Sequence, residues 1–84
     1  MASAYEIRQV AVKVKKISAD IDLRRASAYT SAQEASLWWV GDSSSAFAHE
    51  YNKINNDIHA LLDIFAQLET QLKIVSDELE KQGL

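Results

Sequence analysis

The sequence has no cysteine, no proline and only two glycines among its 84 residues. Without thiols there is neither a disulfide framework nor a thiolate metal site to staple a small fold. Without proline, and with cheap backbone freedom confined to Gly41 and Gly83, few positions can interrupt a helix. No apolar run approaches the ~20 residues that span a bilayer, so stable membrane insertion is not expected. The opening Met-Ala-Ser-Ala-Tyr-Glu lacks the basic and apolar regions of a cleavable signal, which argues against the general secretory route. A formal net charge of −3 argues against sequence-independent nucleic-acid binding, which needs cations gathered on one face. A chain this short buries only about 60–65% of its unfolded surface, so its stability is expected to come from regular helix packing or from a partner.

What the sequence does contain is helical periodicity. Ser3 and Glu6 have the Ser-x-x-Glu spacing of a capping box. From there Ile7, Val10, Val14, Ile17, Ile21, Arg24, Ala28, Ser31, Ala35 and Trp38 recur at alternating steps of three and four. A second, wholly apolar or aromatic seam follows in Phe47, Tyr51, Ile54, Ile58, Leu61, Phe65, Leu68, Leu72, Val75 and Leu79. A strand fails on period. Between the seams, Gly41 can adopt positive φ, and Asp42 or Ser43 can cap the next helix. The expected fold is all-α: one antiparallel helical-hairpin domain with a first helix over about 4–38, a turn over about 39–42 and a second helix over about 43–81.

Folding the chain about Gly41 pairs residues whose numbers sum to roughly 82. That register sets Phe47, Tyr51 and Ile54 against Ala35, Ser31 and Ala28, large against small. It also brings Arg25 near Asp57 and Lys13 near Glu69. Residues 1–37 carry a net charge of +2 and residues 42–84 a net charge of −5, which favours the same pairing. Leu62 and Ile64 flank the second seam and widen it, with Ile58, Leu61, Phe65 and Leu68, into a band broader than one facing helix covers. These six residues are the expected dimer interface, and two hairpins closing into a four-helix bundle would bury them.

Little suggests chemistry, and neither catalytic nor metal-binding nor cofactor-binding residues are expected. His49 and His59 stand about 15 Å and roughly 80° apart on a helix, too far to share a metal. His59 and Asp63 are at i and i+4, the spacing of an ordinary surface pair, and no third group converges on them. Ser43, Ser44 and Ser45 read as helix-start residues with no base at a suggestive position. Lys13, Lys15, Lys16, Arg24 and Arg25 are interrupted by Asp20 and Asp22 and read as a solvated face. Arg24, on the seam, can snorkel over Ile58 toward Asp57 or fix register. The Trp38-Trp39-Val40-Gly41 segment is more informative. Either Trp38 completes the seam while Trp39 shields the turn, or at least one indole is offered to a second chain.

Trp39-Val40-Gly41 near mid-chain, followed by Ser44, Ala46 and Phe47, resembles the turn and second-helix opening of the WXG superfamily, the ESAT-like substrates of bacterial type VII secretion. The resemblance covers the whole chain. It implies a non-enzymatic helical hairpin that pairs with itself, with a paralogous hairpin or with a larger toxin. It also implies export from a bacterium, folded and without a cleavable signal, through an ATPase-driven machine. Trp39 and Gly41 would then belong to the export signal, completed by the C-terminal part of a partner's second helix. The Tyr-x-x-x-Asp/Glu signal of actinobacterial members is missing, because Tyr5, Tyr29 and Tyr51 are followed four residues on by Gln9, Gln33 and Asn55. That departure implies either a helical C-terminal pattern such as Leu68, Leu72, Val75 and Leu79, or a helper that borrows its partner's signal. The alternative is a filament or scaffold subunit similar to a type III secretion needle protein, also a hairpin of about this size.

Overall fold

The computed structural model describes residues 2–39 and 41–84, and contains two helices, α1 (Ala4–Ser36) and α2 (Asp42–Lys81). They form an antiparallel hairpin measuring 63 × 16 × 15 Å. Its length is that of α2 alone at about 1.5 Å per residue, so the hairpin is a rod with no third layer.

Each helix begins and ends for identifiable reasons. Ser3 takes an extended conformation and its Oγ accepts from the Glu6 N–H at 3.2 Å, the first half of the expected capping box. The Ala4 N–H, another free donor of this first turn, donates to the Leu84 carbonyl at 3.0 Å and ties the two chain ends together. α2 ends in a Schellman motif. Gly83 has φ +78°, its N–H reaches the Glu80 carbonyl, and the Leu84 N–H reaches the Leu79 carbonyl at 2.8 Å.

At the turn, Gly41 has φ +110° and is itself the N-cap of α2. Its carbonyl accepts from the Ser44 and Ser45 N–H groups, and no side chain caps this end. The expectation of a cap from Asp42 or Ser43 is therefore corrected. Asp42 instead places its carboxylate in the first turn, where it complements the helix dipole. α1 stops at Ser36, short of Trp38. Its last residues form tightened bonds, Leu37 N–H to the Glu34 carbonyl and Trp38 N–H to the Ala35 carbonyl. The Ser36 hydroxyl also donates to the Gln33 carbonyl, a competing local bond typical of serine at a helix end.

The inter-helix seam differs from the expected one in a systematic way. Ile7, Val14 and Ile21 on α1, and Tyr51, Ile58, Phe65, Leu72 and Leu79 on α2, are half-buried as expected. Their companions are not the residues three positions on but those four positions on. Ala11, Ser18 and Arg25 turn inward, as do Asn55, Leu62, Glu69 and Ser76, while Val10, Ile17, Ile54, Leu61, Leu68 and Val75 remain exposed. Ala11 and Ser76, 2% and 1% exposed, are the tightest points of the hairpin. Ser76 satisfies its hydroxyl on the Lys73 carbonyl at 2.8 Å. Small residues here allow the two backbones to approach closely.

At the turn end the register stays close to the expected one, but different residues occupy it. Tyr29 lies opposite Tyr51, with ring centroids 6.2 Å apart, and Arg25 donates to the Asn55 side chain at 3.1 Å. Ala28, Ser31 and Ala35 point to solvent, so they do not receive Phe47, Tyr51 and Ile54. Arg25 also pairs with Asp22 and Arg24 with Asp20, both within α1, rather than with Asp57. Glu69 pairs with Lys73 on its own helix rather than with Lys13. Such near-neighbour pairs form without ordering a second helix, which favours them over the cross-helix alternatives.

Candidate functional site

The side chains at the turn separate into two environments. Trp39 folds back over the start of α2, its ring 5.0 Å from that of Phe47, and its indole N–H donates to the Ser43 hydroxyl at 3.2 Å. Phe47 continues the aromatic row to Tyr51 at 6.1 Å. Trp39 thus shields the turn, and remains 40% exposed. Trp38 does not complete the seam. It follows the last helical residue of α1 and is 87% exposed, next to Leu37 at 80%. The tip of the rod therefore presents two large apolar side chains to solvent, with Trp39 fixed behind them. Gly41 supplies the positive φ that reverses the chain. Val40, the middle residue of the Trp-x-Gly sequence, lies outside the described residues.

The long sides of the rod differ from one another. Reversing a helix's direction also reverses its sense of rotation, so in an antiparallel pair the same heptad displacement falls on the same side of both helices. The residues three positions beyond each inward one therefore share a face. Val10, Ile17 and Arg24 contribute to it from α1, and Ile54, Leu61, Leu68 and Val75 from α2, all exposed. The opposite side is a polar groove, lined near mid-rod by Lys15, Asp22, Arg25, His59 and Glu69. Toward the chain ends it continues past Arg8, Lys73 and Asp77.

The six expected interface residues divide between these environments. Ile58, Leu62 and Phe65 are half-buried in the hairpin itself, whereas Leu61 and Ile64, with Leu68, are exposed on the apolar side. Sequence reasoning did not separate Val10, Ile17, Ile54 and Val75 from the seam, because apolar periodicity alone does not say which neighbour a stripe faces. His59 lies in the polar groove. No group of three or more histidines and carboxylates close enough to hold a metal exists among the described residues. No described helix is long and apolar enough to cross a membrane.

Two long helices, a Trp-x-Gly reversal with an anchored indole and an exposed aliphatic face define a helical hairpin. The chain belongs to the WXG100 family, proteins of 100 residues with WXG, whose family model matches residues 1–83. This family lies within the WXG, ESAT-like superfamily of small helical type VII secretion substrates, and its members pair with other helical hairpins. No curated protein and no solved structure matches the chain significantly.

Proposed function

We propose that this chain is a non-enzymatic protein exported from a bacterium by a type VII secretion system, as cargo or as the pairing helper of another substrate. Family membership over residues 1–83 carries the reading. The turn geometry supports it, because Trp39 is held by both a ring contact and a hydrogen bond while keeping an accessible edge. On this reading Trp39 and Gly41 form the chain's part of the export signal. The aliphatic face centred on Leu61, Ile64 and Leu68 receives the second hairpin, and the half-buried Ile58, Leu62 and Phe65 support it from beneath. A second hairpin there would complete a four-helix bundle and remove aliphatic surface from water at about 25 cal/mol per Å².

Export from the native host should stop when the type VII ATPase is deleted, and undiminished export in that strain would sink the proposal. Trp39→Ala should reduce export while circular dichroism still shows two folded helices. If the hairpin unfolds instead, Trp39 acts through the fold.

A further inference from the structure

The seam of the hairpin has a constant half and an exchangeable half. Ile7, Val14 and Ile21 on α1, with Ile58, Phe65 and Leu72 on α2, are half-buried. Seen down the helix axis, the residue four positions beyond each of these lies about 40° to one side, and the residue three positions beyond lies about 60° to the other. Turning each helix by roughly 50° about its own axis therefore exchanges the two companions and keeps the constant residues inward. The companions that face inward are Ala11, Ser18 and Arg25 on α1 and Asn55, Leu62, Glu69 and Ser76 on α2. Leu62 is the one large aliphatic group among them. The companions left outside are Val10, Ile17 and Arg24 on α1 and Ile54, Leu61, Leu68 and Val75 on α2.

Different forces favour the two arrangements. Among the described residues, the side-chain hydrogen bonds that cross between the helices run from Arg8 to Asp77 and Glu80, and from Arg25 to Asn55 at 3.1 Å. Arg8, Asp77 and Arg25 line the polar groove, so a rotation that brings the opposite stripe inward carries these groups apart. The stripe has no polar latch of its own, and gains instead by leaving water.

We propose that the hairpin is a two-state rotary device. In the open arrangement, that of the structure, the stripe faces solvent. In the closed arrangement each helix is turned by about 50° and the stripes of α1 and α2 pack on each other. Counting from the Arg8–Asp77 contact, two residues along α1 and two back along α2 set Val10 opposite Val75, and a further heptad sets Ile17 opposite Leu68. One heptad on, Arg24 comes beside Leu61, where its stem can lie on aliphatic surface with the guanidinium in water. The mixed inward set is what keeps both states accessible. A wholly aliphatic inward set would lock the hairpin open, and a polar stripe would remove the closed state. The use of the device rests on the reading of the stripe as the pairing surface. A second hairpin selects the open state, and its apparent affinity falls in proportion to the fraction of chains that are open. The unpaired chain thus keeps its aliphatic surface from water until a partner competes for it.

The chain has no cysteine, so engineered pairs report each arrangement without background. A disulfide needs Cβ atoms about 3.5–4.5 Å apart. Ala11→Cys with Ser76→Cys therefore reports the open state, and Val10→Cys with Val75→Cys the closed one. Each variant is equilibrated with glutathione at a dilution where sedimentation finds single chains, and both should form an intramolecular disulfide. Leu61→Gln with Leu68→Gln would bury two amides in the closed state only. This change should lower the equilibrium constant for the Val10–Val75 disulfide at least about tenfold and leave the Ala11–Ser76 disulfide as strong. If it unfolds the hairpin, Asn55→Leu with Glu69→Leu decides, because an apolar open seam should also weaken the Val10–Val75 disulfide. Failure of that disulfide to form where the Ala11–Ser76 one does, or its indifference to both sets of substitutions, would overturn the proposal. All these readouts are made on single chains and test the rotation alone. The pairing reading fails separately, if export survives Leu61→Asp with Leu68→Asp.

Discussion

The two ends of the rod are built on opposite principles. At the chain-terminal end, Ser3 caps α1, the Gly83 motif closes α2, the Ala4 N–H binds the Leu84 carbonyl, and Arg8 holds both Asp77 and Glu80. Ala4, Ala11 and Ser76, the buried residues among those described, all lie in this half. At the turn end none of the described residues is buried, α2 starts without a side-chain cap, and Leu37 and Trp38 stand in solvent. Close packing at one end holds the hairpin together, while the other end keeps its largest side chains available. Close packing and exposure of the largest side chains are therefore separated along the long axis, and the turn end, with little internal support, rests on a fold secured at the other end.

Overpacking is the most direct way to break this contrast. Ala11→Leu places three extra carbons where the helices are closest and should cost about 1–3 kcal/mol. The same change at the solvent-facing Ala35 of the turn end should stay within about 0.5 kcal/mol. Thermal unfolding followed by circular dichroism checks both. Equal effects at the two sites would show that the packing gradient does not exist in solution.

The glycines offer a smaller contrast. An alanine Cβ at Gly41 meets no atom within 4 Å, so any penalty is conformational rather than steric contact with neighbours. Its φ of +110° and ψ of −173° lie in a region essentially restricted to glycine, and Gly41→Ala should cost about 1–3 kcal/mol. Gly83→Ala, at φ +78° in a helix-terminating motif, should cost about 1 kcal/mol. Reversal of that order in melting experiments would mean that the turn is free to adopt another path.

The same division explains what could be read from the sequence. Two helices, their antiparallel pairing and the role of Gly41 follow from periodicity and backbone chemistry, because each signal is local and strong. The seam itself is half legible. Every second inward residue on α2, from Tyr51 through Ile58, Phe65 and Leu72 to Leu79, follows from the apolar repeat. The alternate inward positions do not, since they are Asn55, Glu69 and Ser76 as well as Leu62. A helix in a bundle has two neighbours, and its most apolar stripe need not face the one on its own chain. Here Ile54, Leu61, Leu68 and Val75 are together more apolar than the alternate inward set Asn55, Leu62, Glu69 and Ser76, and ranking by hydrophobicity assigns them to the seam in its place. Charge pairing misled in the same direction, because Arg24 and Arg25 each have an acidic residue within one turn on their own helix. The Trp-x-Gly turn was legible as a motif. Its geometry was not, because the separation of Trp38 from Trp39 depends on α1 ending at Ser36.

That separation yields the smallest expected stability effect and the sharpest distinction. Trp39→Ala removes a ring contact with Phe47 that, as an aromatic pair, contributes about 0.5–1.5 kcal/mol beyond its area, together with the bond to Ser43. Trp38→Ala, at a residue 87% exposed, should change hairpin stability by no more than about 0.5 kcal/mol in dilute solution. Its consequence belongs to the paired state. If Trp38 is an anchor for another chain, Trp38→Ala should leave the dilute melt unchanged and lower the melting temperature only where pairing occurs, since binding stabilises the fold by mass action. A loss of stability already present at the lowest concentration would instead place the Trp38 ring against its own hairpin and remove the tip from the recognition surface. A melt unchanged at every concentration would leave the aliphatic side of the rod as the sole contact surface and confine the tip's role to the anchored Trp39.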